Sequence, residues 1–164
     1  MKKFIFIFIL LFLSSFYLKA EEKKQEFNFF TGVFDFSDNN KKSTIVGIQH
    51  QNEDLFRKSF LGTISPVTGL LITADSATYL YTGIQAEYNV GKLNLIPSFT
   101  PGLYHEGDGK DLGHMLEFKS ELQLSYDLVP NSQMGFSYNH ISNASLGDKN
   151  PGANSYMFNF LKKF

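Results

Sequence analysis

The segment from His114 to Tyr126 limits the fold of this chain more than any other, because its side chains alternate between two different kinds of residue. A period of two indicates a β-strand whose faces meet different surroundings. One face carries His114, Leu116, Phe118, Ser120, Leu122, Leu124 and Tyr126, and the other carries Met115, Glu117, Lys119, Glu121, Gln123 and Ser125. The sequence therefore predicts a strand with one mainly apolar face and one mixed-charge face.

Seven further segments resemble this strand, and no helical period separates them, which predicts an antiparallel all-β protein. Short connections at 89–92 and 127–132 contrast with longer ones at 66–76, 105–113 and 145–153, an asymmetry typical of outer-membrane barrels. Pro101 is expected to bulge or end its strand early. The predicted strands are approximately 27–36, 44–50, 58–65, 77–88, 93–104, 114–126, 133–142 and 154–164.

A soluble lipocalin-like barrel has the same period with its apolar side chains inside, so periodicity alone does not distinguish a soluble barrel from a membrane barrel. Two features favour the membrane barrel. Aromatic residues make up 16% of the chain, as 18 Phe and 8 Tyr, which fits aromatic girdles at both membrane interfaces. The segment from Asn154 to Phe164 is similar to the C-terminal signal for assembly of bacterial outer-membrane barrels. We predict an eight-stranded antiparallel transmembrane β-barrel in the outer membrane of a Gram-negative bacterium.

Residues 1–20 have the layout of a secretory signal peptide. A basic start precedes an apolar run from Phe4 to Leu13, and a small residue, Ala20, ends the segment. A membrane-anchoring helix is the alternative, but the run is shorter than the roughly 20 residues that span a bilayer. We expect cleavage after Ala20, which leaves residues 21–164 as one barrel domain.

Composition excludes several classes of function. The formal net charge of -1 provides no basic surface for nucleic acid, and the absence of cysteine excludes disulfides and thiolate chemistry. His105, Glu106, Asp108, Asp111 and His114 have the residue types that bind cations, but a solvated loop is the better interpretation. No metal or cofactor is expected.

His140 and Ser142 lie two residues apart in a predicted strand, so they share a face. Their face also carries Tyr138 and is the predicted lipid face, close to the outer rim. Asn154, at the start of the next strand, has the same outward parity. Ser142 can act as a nucleophile with His140 as its base, and Asn154 can orient the imidazole. The alternative is that these are ordinary polar residues where the strand leaves the membrane.

The segment from His140 to Ser155 resembles the signature of the PagL family, the lipid A 3-O-deacylases. The similarity lies in His-Ile-Ser-Asn-Ala at 140–144 and Asn-Pro-Gly-Ala-Asn-Ser at 150–155. It implies an eight-stranded outer-membrane barrel with a Ser-His-Glu triad on its lipid-facing side. His140 and Ser142 match the histidine and the serine, whereas Asn154 stands where the family has glutamate. Asn143 and Asn150 match asparagines near the oxyanion site.

The resemblance implies an ester hydrolase that removes an acyl chain from lipid A, so lipopolysaccharide is the expected substrate and outer-membrane lipids are the surroundings. A homodimer is left open. Two alternatives remain at this point: a non-enzymatic small barrel of the OmpA/OmpX type, structural or adhesive, and a catalytically weakened member of the family.

Overall fold

The computed structural model describes residues 25–52, 57–59 and 62–164; the predicted signal peptide lies outside these residues. The described residues include no helix long and apolar enough to cross a membrane. They form nine strands: β1 Gln25–Phe34, β2 Ser43–Asn52, β3 Arg57–Ser59, β4 Gly62–Thr73, β5 Thr78–Val90, β6 Leu93–His105, β7 Leu116–Val129, β8 Ser132–Ser142 and β9 Ala153–Lys163.

Eight of the described strands close into a barrel, and every pairing is antiparallel. β1 pairs with both β2 and β9, which joins the first strand to the last. β2 pairs with β4 on its other edge, so the ring has no free edge. The short β3 pairs only with β4, as an addition to the barrel. The predicted eight-stranded antiparallel barrel is confirmed.

The predicted connection at 66–76 is wrong, because β4 runs without interruption from Gly62 to Thr73. Pro66 lies within this strand. It is tolerated there because the β2–β4 pairing ends at Gln51 and Val67, one residue short of the proline. The connection that follows β4 occupies only residues 74–77.

The expected bulge or early strand end near Pro101 is also wrong. β6 continues to His105, and its register with β7 is unbroken through both Pro97 and Pro101. The β5 side accommodates the prolines, because the pairs between β5 and β6 are interrupted around these two positions while the register is kept. The ladder with β7 therefore holds the strand in place.

The barrel interior carries many polar and charged side chains and its outer surface is apolar, which rules out the lipocalin-like alternative. Inside, the Lys119 ammonium lies 3.1 Å from the Glu121 carboxylate and 4.1 Å from the centre of the Tyr81 ring. Buried amides line much of the lumen, from Asn28, Gln49, Gln85, Gln123, Asn139 and Asn159. The interior also holds a buried apolar cluster that includes Phe34, Ile45 and Leu71. Exposed apolar side chains on the outside include Leu80, Ile84, Phe99, Leu124, Phe136 and Phe158.

The two rims of the barrel differ. Both ends of the barrel-forming chain lie at one rim, together with the tight turns at 91–92 and 130–131. The connections 35–42, 74–77, 106–115 and 143–152 lie at the other rim. In outer-membrane barrels the tight turns face the periplasm and the longer loops face outward. The end of β8 and the start of β9 therefore lie at the outer rim.

Candidate active site

Strand β8 presents His140 and Ser142 on the outer surface of the barrel. Phe136 is 70% exposed and Tyr138 40% exposed on the same face, whereas Asn139 and Ile141, on either side of His140, are fully buried. His140 and Ser142 are partly exposed, as expected for side chains where an outward face reaches the rim. The sequence-based assignment of their face therefore agrees with the structure.

Pairing between β8 and β9 places Asn154 directly opposite His140. The His140 Nδ1 atom lies 2.8 Å from Asn154 Oδ1, a normal hydrogen-bond length. An amide oxygen only accepts, so this contact requires a proton on Nδ1 and leaves Nε2 of the neutral ring with its lone pair. That is the tautomer in which a histidine can act as a base through Nε2.

Asn154 has two further side-chain partners. The Tyr138 hydroxyl donates to the same Oδ1 atom at 2.7 Å. The Asn154 Nδ2 group donates to Ser37 Oγ at 3.3 Å, in the connection that follows β1. These contacts orient the amide with its oxygen towards the imidazole.

Asp35 lies behind Ser37 and is fully buried. Its Oδ1 atom accepts from Ser37 Oγ at 3.1 Å and from the Asn154 backbone N–H at 3.3 Å. Its Oδ2 atom pairs with the Lys110 ammonium at 2.5 Å. Asp35 has a φ of 46°, a left-handed conformation that aspartate adopts more readily than most residues. A buried ion pair therefore stands behind the amide that contacts His140.

Ser142 lies on the same face as His140, but no hydrogen bond joins the two side chains within the described part of the chain. Residues two apart on a strand are separated by roughly 6.6 Å along it, so the side chains must turn towards each other. Catalytic hydrogen bonds are often long without substrate and shorten in the complex. The structure thus brings His140 and Asn154 together and places Ser142 on their face without a hydrogen bond to His140 in the described residues.

The loop after Ser142 is held by Asn143. Its fully buried side chain donates through Nδ2 to the carbonyl oxygens of Leu112 and Lys149, each at 2.8 Å. Its backbone N–H donates to Asn150 Oδ1 at 3.1 Å. These contacts occupy both kinds of donor on Asn143 and fix the position of Asn150. The amide nitrogen of Asn150, which is exposed, makes no hydrogen bond within the described residues.

Gly152 lies against the imidazole and has a φ of +61°. A Cβ atom at this position would lie 2.8 Å from Cε1 and 3.2 Å from Nε2 of His140. Ala144 and Ser145 also have left-handed φ values, 52° and 64°, directly after the Ser142–Asn143 pair. Strained backbone of this kind often marks functional sites.

An ion pair joins the two loops beside the site. The Lys149 ammonium lies 2.5 Å from the Asp111 carboxylate and holds the pKa of that carboxyl below its usual range. The same contact raises the pKa of Lys149. No three His, Cys, Asp or Glu side chains in the described segments are arranged to hold a metal ion.

The sequence profile of the family described as "Lipid A 3-O-deacylase (PagL)" matches residues 63–163. The chain belongs to the PagL family. No curated protein matches the chain. The matched segment contains β8, β9 and the loop between them, so the family assignment covers the whole His140–Asn154 region.

Solved structures show the same fold. The crystal structure of the outer membrane enzyme PagL is 14% identical, with a TM-score of 0.67, and the match covers 85% of this chain and 99% of that one. A de novo designed transmembrane β-barrel is 11% identical with a TM-score of 0.55, covering 90% and 100%. Neisserial surface protein A is 10% identical with a TM-score of 0.53, covering 85% and 97%.

As a PagL-family barrel, the protein belongs to the outer membrane of a Gram-negative bacterium, in a family of lipid A hydrolases. Sequence reasoning did not identify Asp35, Ser37 and Lys110 at its site. Asp35 and Ser37 reach Asn154 only because β1 pairs with β9, although they are more than 100 residues apart in sequence. The parity of Tyr138 placed it on the face of His140, but its contact with Asn154 was not predicted. Gly152 carried no signal beyond its residue type.

Proposed function

We propose that this PagL-family protein hydrolyses the ester bond at the 3-O position of lipid A, with Ser142 as nucleophile and His140 as general base. The observation that supports it most is the hydrogen bond between His140 Nδ1 and Asn154 Oδ1 on the outward face of the barrel. It leaves Nε2 as the basic atom of a ring that shares its face with a serine.

Acylation begins when Ser142 Oγ attacks the ester carbonyl carbon and His140 Nε2 takes the hydroxyl proton. The tetrahedral intermediate then breaks its bond to the sugar oxygen. His140 gives its proton to that oxygen, so the sugar leaves as an alcohol and the acyl group remains on Ser142. Each proton that His140 takes is returned within the same half-reaction.

Deacylation repeats these steps with water. His140 Nε2 takes a proton from a water molecule, whose oxygen attacks the acyl carbon. The bond to Ser142 Oγ breaks, and Oγ receives the proton from the imidazolium. The products are a free fatty acid, the partially deacylated lipid A and the original enzyme.

Asn150 is the best donor for the developing oxyanion. Both donors of Asn143 are occupied by groups of its own loop and of the 106–115 connection, whereas the exposed Asn150 amide is held in place through its oxygen only. Its nitrogen can therefore point towards bound substrate. Loss of one such donor typically lowers kcat by about 10² to 10³-fold.

The location of the site fits an ester near the lipid headgroups. His140 and Ser142 lie at the rim that carries the longer connections, directly above the exposed Phe136 and Tyr138 on the same strand. A substrate in the outer leaflet would contact the apolar part of this face with its acyl chains. Its sugar and first ester bonds would lie at the level of the site.

Lipid A mass spectrometry tests the proposal. Wild-type protein should remove one acyl chain, and Ser142→Ala and His140→Ala should leave lipid A intact. The mass lost and the remaining substitution pattern identify the position cut. All variants need equal amounts of folded barrel in the outer membrane. An identical lipid A profile for wild type, both variants and an empty vector would contradict the hydrolase and favour the non-enzymatic barrel.

A catalytically weakened enzyme is a specific alternative, because asparagine stands at position 154. An amide orients an imidazole but stabilises imidazolium less than a carboxylate does. A hydrogen bond to a charged group contributes about 1 kcal/mol more than a neutral one. Asn154→Glu should therefore raise kcat roughly fivefold to tenfold. An unchanged rate would argue against a triad position for residue 154.

A further inference from the structure

The His140 imidazole lies at one end of a line of four hydrogen-bonding groups that crosses from the last strand to the first. Asp35 Oδ1 accepts from Ser37 Oγ at 3.1 Å, and Ser37 Oγ accepts from Asn154 Nδ2 at 3.3 Å. Asn154 Oδ1 then accepts from His140 Nδ1 at 2.8 Å. Two members of this line, a hydroxyl and an amide, can each both donate and accept. The Tyr138 hydroxyl, which also meets Asn154 Oδ1 at 2.7 Å, can likewise donate or accept, so the direction of the line is set by the groups at its ends.

Asp35 is the one member whose direction is fixed. An ionised carboxylate only accepts, so the single Ser37 hydroxyl proton must point towards Asp35. The Ser37 oxygen then faces Asn154 with a lone pair and selects the NH₂ end of the amide. The amide oxygen is left facing His140, which must carry its proton on Nδ1.

We infer that Asp35 is a positioning residue, which acts through Ser37 and Asn154 to hold His140 in the tautomer whose Nε2 can accept the Ser142 proton. The inference rests on the proposed function in assigning that proton transfer to His140 and Ser142. Asp35 is fully buried and makes no hydrogen bond to His140 in the described residues, so its effect on the imidazole is carried by Ser37 and Asn154.

The surroundings of Asp35 suit this role. Its carboxylate is fully buried, and the ammonium of Lys110 balances its charge at 2.5 Å. The Asp35 carboxylate also accepts from the Asn154 backbone N–H at 3.3 Å, which fixes the start of β9 relative to the end of β1. Phe36 N–H also donates to the Asn154 carbonyl oxygen at 2.9 Å. The donor and acceptor groups of the line are therefore held by backbone as well as by side chains.

Asparagine at position 35 would keep the size of the side chain but lose the fixed direction. Its NH₂ group could donate to Ser37, the hydroxyl could turn towards Asn154, and the Asn154 amide could turn its nitrogen towards His140. That arrangement requires a lone pair on Nδ1 and a proton on Nε2, which is the tautomer that cannot accept a proton from serine. The wrong tautomer costs a serine protease with the corresponding Asp→Asn change about 10⁴-fold in kcat.

The first measurement is independent of activity. The ¹⁵N chemical shifts of the histidine ring nitrogens distinguish a protonated nitrogen from an unprotonated one, and the signals of His140 are identified as those lost in His140→Gln. At about pH 8, where an unperturbed imidazole is neutral, wild type should show Nδ1 protonated and Nε2 unprotonated. Asp35→Asn should shift both nitrogens of His140 towards the opposite or a mixed tautomer.

The matched control is Asp38→Asn. Asp38 lies in the same connection and also faces Lys110, at 3.6 Å, but it makes no hydrogen bond to Ser37 or Asn154 in the described residues. The Asp38→Asn substitution removes one negative charge from the same connection, as Asp35→Asn does, and should leave the ¹⁵N chemical shifts of His140 unchanged. Ser37→Ala breaks the line while keeping the buried ion pair and should behave as Asp35→Asn does, even where Asp35→Asn does not fold. Ser37→Thr keeps the hydroxyl and should behave as wild type.

Kinetics on purified lipid A provide the second measurement. Asp35→Asn and Ser37→Ala should lower kcat at least fivefold with little change in KM, whereas Asp38→Asn should stay within twofold of wild type. In an Asn154→Glu background a carboxylate accepts directly from His140, so Asp35→Asn should then change kcat less than twofold. A residue that only supports the fold would lower kcat by the same factor in both backgrounds.

The failure of each idea is distinguishable. If wild type releases no fatty acid, the proposed function fails, whereas the ring-nitrogen shifts still decide what Asp35 does to His140. If wild type is active and Ser142→Ala is not, but Ser37→Ala leaves both the His140 shifts and kcat unchanged, the positioning role of Asp35 is overturned and the proposed function stands. Equal effects of Asp35→Asn with and without Asn154→Glu would also overturn it.

Discussion

Gly152→Ala tests the geometry of the site most directly, because it adds a single carbon atom next to the imidazole. The added Cβ would lie 2.8 Å from His140 Cε1 and 3.2 Å from Nε2. Carbon atoms prefer a separation of about 3.5–4.0 Å, so the ring must retreat by roughly 0.7 Å. The nearest edge of the ring carries Nε2, which is the atom that the proposed mechanism uses.

The expected loss follows from two effects. A displacement of roughly 0.7 Å exceeds the range of about 0.5 Å over which an N–H···O distance remains a good hydrogen bond. The 2.8 Å contact between His140 and Asn154 is therefore weakened or lost. Misplacing a reacting group by 1 Å costs about 10²-fold in rate. We expect kcat of Gly152→Ala to fall between about 10-fold and 100-fold, with KM changed much less.

Alanine at a positive φ also destabilises the backbone, by roughly 1–2 kcal/mol, and Gly91→Ala controls for this term. Gly91 has a φ of +65°, close to the +61° of Gly152, but nothing lies within 4 Å of its added Cβ. Both variants should lose similar stability in urea titrations, while only Gly152→Ala loses activity. If the two variants have kcat values within twofold of each other, contact with the imidazole does not matter and the reasoning fails.

Three further perturbations test other contacts. Tyr138→Phe removes the hydroxyl that donates to Asn154 at 2.7 Å and should lower kcat about twofold to tenfold, the value of one hydrogen bond, measured on lipid A. Lys119→Met leaves the buried carboxylate 3.1 Å away uncompensated and should lower the free energy of unfolding by about 3 kcal/mol in urea; an unchanged midpoint contradicts this. The contact with Lys149 lowers the pKa of Asp111 in the folded protein below its unfolded value of 3.8. The ion pair therefore stabilises the loops fully above pH 3.8, and this stabilisation is lost as the pH falls through the folded pKa. Proteolysis of the loops should increase in that pH range in wild type but not in Asp111→Asn.

The sequence predicted the fold well where local patterns determine it. The alternation within 114–126 corresponds to β7, which begins at Leu116, and the parity of His140 and Ser142 was correct. It failed at Pro66 and Pro101, because a proline is acceptable in a strand where pairing with one neighbouring strand ends or is interrupted, and that depends on the partner rather than on the residue. Local patterns carry no information about where the neighbouring strand stops.

The site was predictable only within one hairpin. His140 and Asn154 face each other across β8 and β9. The alternation of side chains along each strand and the single loop between the two strands were therefore enough to predict this pair. The contacts from Asp35 and Ser37 depend on the closure of the barrel, which sets the end of β1 beside the start of β9. Closure is a property of strand number and tilt over the whole chain. No motif near Asp35 indicates a role in a site more than 100 residues away.

Closure also suggests how this barrel can keep a site with asparagine at position 154. A carboxylate there would lie on a partly exposed, lipid-facing surface, where charged side chains are costly. In the observed arrangement the negative charge lies at Asp35, buried and paired with Lys110, and only its hydrogen-bond direction reaches His140. Such an arrangement fixes the tautomer but transmits little of the charge that stabilises imidazolium. Asn154→Glu should therefore raise kcat and also make kcat independent of Asp35. If only one of these two effects is observed, orientation of the imidazole and stabilisation of its charge are separate contributions to the rate.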